Sequence, residues 1–93
     1  MELTRMAFAA NMLINQVLQV KRGETVLIVT DTDRPRTITH ALAYSAISAG
    51  GVPITIIMEP QQIGGEEPPP PVAAAMASAQ VVINQSTYSL THT

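Results

Sequence analysis

The sequence predicts an α/β fold: a small open parallel Rossmann-like sheet of three or more strands flanked by helices. Three observations predict it. Short, β-branched apolar runs occupy 25–30, 53–58 and 80–84. They begin roughly 27 or 28 residues apart, the length of one strand-plus-helix repeat. The segments between the first two runs and before the third carry helical spacing or helix-forming composition, and right-handed crossovers then make the sheet parallel. The chain has 93 residues, enough for one domain over 1–93. At 46% hydrophobic residues it can bury a core, which argues against intrinsic disorder.

The first helix is expected over about 3–19. Leu3, Met6, Ala10, Leu13 and Val17 fall at three- and four-residue spacing, with Ile14 and Leu18 widening the stripe. Gly23 ends this element, and Lys21 and Arg22 suit the negative end of a helix. The run Thr25–Thr30 reads as a strand buried on both faces. Asp31-Thr32-Asp33 and Pro35 then form a helix start signal. The second helix, 35–49, turns Ile38, Leu42, Ser45, Ala46 and Ala49 inward and stops at Gly50-Gly51. The second strand is 53–58, with Pro53 tolerated at its first position. A loop with Gly64-Gly65 leads to Glu66-Glu67 and the stiff run Pro68–Pro71. A short helix, 72–79, and a third strand, 80–84, follow. Met6, Met12 and Met76 read as core filler. Three strands leave two apolar edges open. The expectation is therefore an N-terminal domain or fragment of a larger protein, or an oligomer.

Composition excludes several classes of function. A formal net charge of −2 argues against nucleic-acid binding. With no cysteine there is neither a disulfide framework nor a thiolate metal site. No apolar run is long enough to span a membrane, and no secretory signal pattern opens the chain, so a cytoplasmic setting is expected.

Candidate chemistry collects at the carboxyl end of the strands, where open α/β sheets bind ligands. Asp31, Thr32 and Asp33 follow the first strand, either as a ligand-contacting loop or as a helix cap. Tyr88, Ser89, Thr91 and His92 follow the third, either as a polar pocket wall or as turn and cap residues. Dinucleotide and P-loop glycine motifs are missing, so Glu59, placed where a ribose-binding acid would stand, has no phosphate loop beside it. Glu66 and Glu67 are adjacent and read as a solvated loop. His40 and His92 lack the spacing of a zinc motif, and no nucleophile elbow occurs.

Four stretches in order carry a resemblance. They are Val20-Lys21-Arg22-Gly23-Glu24-Thr25-Val26-Leu27-Ile28-Val29, Asp31-Thr32-Asp33-Arg34-Pro35-Arg36, the Glu66-Glu67-Pro68-Pro69-Pro70-Pro71-Val72-Ala73-Ala74-Ala75-Met76 run, and Thr87-Tyr88-Ser89-Leu90-Thr91-His92-Thr93. This order resembles the N-terminal domain of the leucyl aminopeptidases of aminopeptidase T type. Their superfamily includes the iron-dependent 2,5-dihydroxypyridine 5,6-dioxygenases. The resemblance implies a two-domain metalloenzyme in which a C-terminal catalytic domain holds the Zn, Co or Fe ion. No metal ligand and no catalytic residue is carried over onto this chain, which is expected to be inactive and to bind no cofactor alone. Its expected partner is that catalytic domain or another copy of itself. Two other readings compete with it: a stand-alone association module, and a small-molecule-binding domain.

Overall fold

The computed structural model of the chain describes residues 3–60 and 68–85. Among them run α1 (Leu3–Met12), a π turn (Leu13–Val17), β1 (Thr25–Asp31), α2 (Arg36–Ser48), β2 (Val52–Met58), α3 (Pro70–Ser78) and β3 (Val81–Gln85). The three strands form one parallel sheet in the order β2-β1-β3. β1 is central because its side chains are apolar or β-branched on both faces, and six of its seven residues are buried.

Successive strand residues point to opposite faces. Val26 and Ile28 join Ile83 of β3 and pack against Ala10 and Ile14 of the N-terminal helix and Leu42 and Ala46 of α2. Leu27 and Val29 pack instead on Val72 of α3. So α1 and α2 cover one face and α3 the other. Right-handed crossovers in opposite directions, from β1 to β2 and from β2 back past β1 to β3, require this split.

The N-terminal helix departs from the expected continuous 3–19. Its inward residues Met6, Ala10 and Ile14 recur every four positions, slower than an α-helix turns. The π turn absorbs the difference, with the Leu18 N–H donating to Leu13 O at 2.8 Å. The next inward residue becomes Leu18, while Val17 is 68% exposed. Met12 is also exposed and is not core filler, whereas Met6 and Met76 do pack inward. Gln19 in the left-handed region (φ 51°) lets the Val20 N–H reach Ile14 O and stops the helix. Lys21 and Arg22 therefore lie beyond the last turn.

Other boundaries move by one or two residues. α2 starts at Arg36, β2 at Val52, and α3 at Pro70, where a missing N–H costs no helical bond. β3 runs 81–85 rather than 80–84 because Gln80 has a different task. Its side-chain Oε1 accepts the Thr25 N–H at 2.6 Å and ties the start of β1 to the approach of β3. Between the two N-terminal helices, Ser45 Oγ donates to Asn11 Oδ1 at 2.6 Å.

The turn from α2 into β2 depends on close backbone approach. The Gly23 N–H donates to Gly50 O, and the Val52 N–H to Glu24 O, both at 2.8 Å. A Cβ on Gly51 would lie 2.9 Å from Val20 Cγ1 and 3.2 Å from Glu24 O. Gly51→Ala is expected to cost about 1–3 kcal/mol through overpacking. Thermal unfolding followed by circular dichroism checks this, and an unchanged midpoint would show that the turn has slack.

Candidate functional site

The chain leaves β1 toward β2 on one side and returns to β3 on the other. The carboxyl ends of β1 and β3 therefore flank the topological switch point, the usual crevice for ligands in open α/β sheets. Thr30 and Asp31 end β1 here, and both are fully buried. Asp31 belongs to the strand rather than to the loop after it, in register with Met58 of β2.

A tight turn follows. The Asp33 N–H donates to Asp31 Oδ1 at 2.9 Å, and the Arg34 N–H to Asp31 O at 3.1 Å. This is an Asx turn, in which the carboxylate folds back on its own backbone. The helix-cap reading of Asp31-Thr32-Asp33 is corrected accordingly. The N-cap of α2 is Pro35, extended at φ −62° and ψ 129°, with no side chain bonded to the helix start. Proline at this point disfavours helix in the residue before it, so the turn and the helix are separate pieces. Thr32 and Asp33 are exposed on the rim of the crevice.

The crevice itself is bridged by residues that the motif reading passed over. Thr39 Oγ1 donates to Gln85 Oε1 at 2.7 Å. The Gln85 side-chain amide donates to Pro35 O at 3.4 Å, and Thr30 Oγ1 donates to Gln85 O at 3.2 Å. Gln85 thus straps the end of β3 to the first turns of α2 and to the end of β1. Strand alternation held the signal: Val81, Ile83 and Gln85 share the face that Val26, Ile28 and Thr30 present to α2. A polar residue ending such an inward series needs a partner.

Tyr88, Ser89, Thr91 and His92 lie outside the described residues, as do Glu66 and Glu67. His40 is on the exposed side of α2, its ring centroid 6.3 Å from that of Tyr44. Both line an open cleft of about 470 Å³ between α1 and α2, away from the switch point. A smaller apolar cleft of about 290 Å³ lies between α1, α2 and the end of β3, with Ile38, Ile83 and Gln85 in its wall. Among the described residues no three His, Cys, Asp or Glu side chains come together as a metal site would need. Among them, too, no helix is long and apolar enough to cross a membrane.

Fold and edge together define an open parallel α/β domain whose ligand-side crevice is laced by its own polar groups. No protein-family model, curated protein or solved structure matches the chain.

Proposed function

We propose that this chain is the non-catalytic α/β scaffold domain of a cytoplasmic metal-dependent enzyme of the aminopeptidase T type, which releases N-terminal amino acids from peptides. The class rests on the four sequence stretches given above. The observation that carries the scaffold role is the lacing of the switch point. Thr30, Asp31, Thr39 and Gln85 spend polar groups on the chain's own atoms. A catalytic crevice instead leaves its acids, bases and donors converging on a space for substrate.

The divalent ion of that class does not fit the described residues, which offer no cluster of three ligands. No step of hydrolysis or ring cleavage is assigned to them. Their part is to hold the end of the sheet rigid as a surface for a catalytic domain. The apolar cleft beside Gln85, with Ile38 and Ile83 in its wall, extends that surface.

Zinc, cobalt or ferrous ion added to the folded chain is expected to leave its melting temperature unchanged. Hydrolysis of leucyl peptides is expected to stay at background. A ligand at a hundred times its Kd would stabilise the fold by about 2.7 kcal/mol. In a domain of this size that raises the midpoint by roughly 10–20 °C. A saturable rise of that order, or metal-dependent peptide cleavage, would contradict the scaffold reading.

A further inference from the structure

We infer that the open edge of β2 pairs with β2 of a second copy of the chain, antiparallel and around a two-fold axis at Ile56. The inference is independent of the enzyme class proposed above, since it uses only the edge of the sheet.

The Val52 N–H donates to Glu24 O, and Met58 O accepts the Thr32 N–H. Along a strand the backbone groups alternate sides, so Val52, Ile54, Ile56 and Met58 face β1. Pro53, Thr55 and Ile57 turn theirs outward. Pro53, which has no N–H to offer, stands at an outward position, where β1 asks nothing of it. Among the described residues none bonds the outward donors and acceptors of Thr55 and Ile57 on this edge.

Natural edge strands discourage pairing with charge, proline, bulges or a covering element, and here Pro53 blocks only the first outward position. Between Val52 and Met58 there is no charged residue, and the register with β1 runs without a bulge. Apolar side chains flank the edge on both faces. Val52 and Ile54 are 50% and 48% exposed on the α3 side, and Ile57 is 43% exposed on the α2 side. Ile47, 57% exposed, sits about 200° around α2 from Ser45, the residue that bonds α1. It therefore lies on the flank of α2 turned away from α1, toward β2.

The strand is complementary to itself. With the axis at Ile56, Thr55 stands opposite Ile57 of the copy, and the two exchange both backbone bonds; symmetry repeats the exchange. Pro53 then falls opposite Glu59 of the copy, whose N–H can donate to the Pro53 carbonyl. On the α3 face Ile56 meets Ile56 of the copy, and Ile54 meets Met58. An axis at Thr55 would instead place Ile57 O against Pro53, which has nothing to donate. An uncharged strand meets its own copy without repulsion, and the pairing yields a continuous six-stranded sheet that brings the apolar side chains flanking each edge together.

The test is the molar mass of the 93-residue chain by light scattering during size exclusion, up to the highest soluble concentration. The expected mass is twice the 9.9 kDa of one chain. Thr55→Pro removes an outward donor without breaking a β1–β2 bond, and Ile57→Lys places a charge on the edge. Each is expected to give a monomer with an unchanged circular dichroism spectrum. Should Thr55→Pro fail to fold, Ile57→Lys decides alone. A monomeric wild-type chain, or an assembly that persists in the folded variants, would overturn the inference.

Discussion

Ile28→Ala is expected to lower the unfolding free energy by about 2–5 kcal/mol, the usual cost of emptying a well-packed core position. Ile28 is fully buried at the middle of β1 and belongs to the cluster that joins Ile14, Leu42, Ala46 and Ile83. One substitution therefore loosens contacts to the N-terminal helix, to α2 and to β3 together. Domains of this size hold only about 5–15 kcal/mol in total, so the variant is expected to unfold at far lower urea than the parent. Ile54→Ala on β2, measured in the Ile57→Lys background so that no pairing between copies contributes, is the matched control. Its side chain is 48% exposed, and its removal is expected to cost about 1 kcal/mol or less. Equal losses at the two positions would contradict a sheet with β1 in its centre.

The second large effect is expected at the switch point. Thr39→Val keeps the shape of a buried side chain but removes the hydroxyl that donates to Gln85 Oε1. Gln85→Leu removes the acceptor, leaving the Thr39 hydroxyl, only 2% exposed, with the longer 3.4 Å approach to Pro35 O. Each single change is expected to cost about 1–3 kcal/mol, because a polar group stays behind with its partner gone. The double variant is expected to lose less than the sum, with a coupling energy of about 0.5–3 kcal/mol in urea denaturation. Strict additivity would mean that the strap contributes nothing. The strap also bears on function. Under the scaffold proposal, these bonds stiffen the edge that would meet a neighbouring domain.

The elements were legible in the sequence because each had a strong local cause. The β-branched run Thr25–Thr30, the Gly50-Gly51 stop and the proline-led start of α3 each fix structure within a few residues. That two apolar edges stay open was legible too, since three strands cannot cover one another's flanks, but not which strands form them. The strand order was not, because pairing is a long-range choice. Only the two-faced apolar character of β1 hinted at its central place. The π turn was missed because Val17 and Leu18 are both apolar, so helical spacing alone could not say which turned inward. The acidic turn departs from the helix-cap alternative for a related reason: Asp31 suits a cap by composition, but its burial at the end of β1 and the extended Pro35 keep it from the helix start. Thr39 and Gln85 escaped notice because they form no motif, and nothing local marks residues 46 positions apart as partners.

The central proposal is that the described polar groups at this end of the sheet are taken up by their own bonds and gather no cluster of three metal ligands. Cobalt added to the isotope-labelled chain tests it residue by residue, since a bound paramagnetic ion broadens the amide signals around it. With one equivalent of cobalt, the signals of residues 31–39 and of Gln85 are predicted to stay as sharp as before. Saturable broadening centred on Asp31 and Asp33 would mean that this edge is itself a metal centre, and the scaffold account would be wrong.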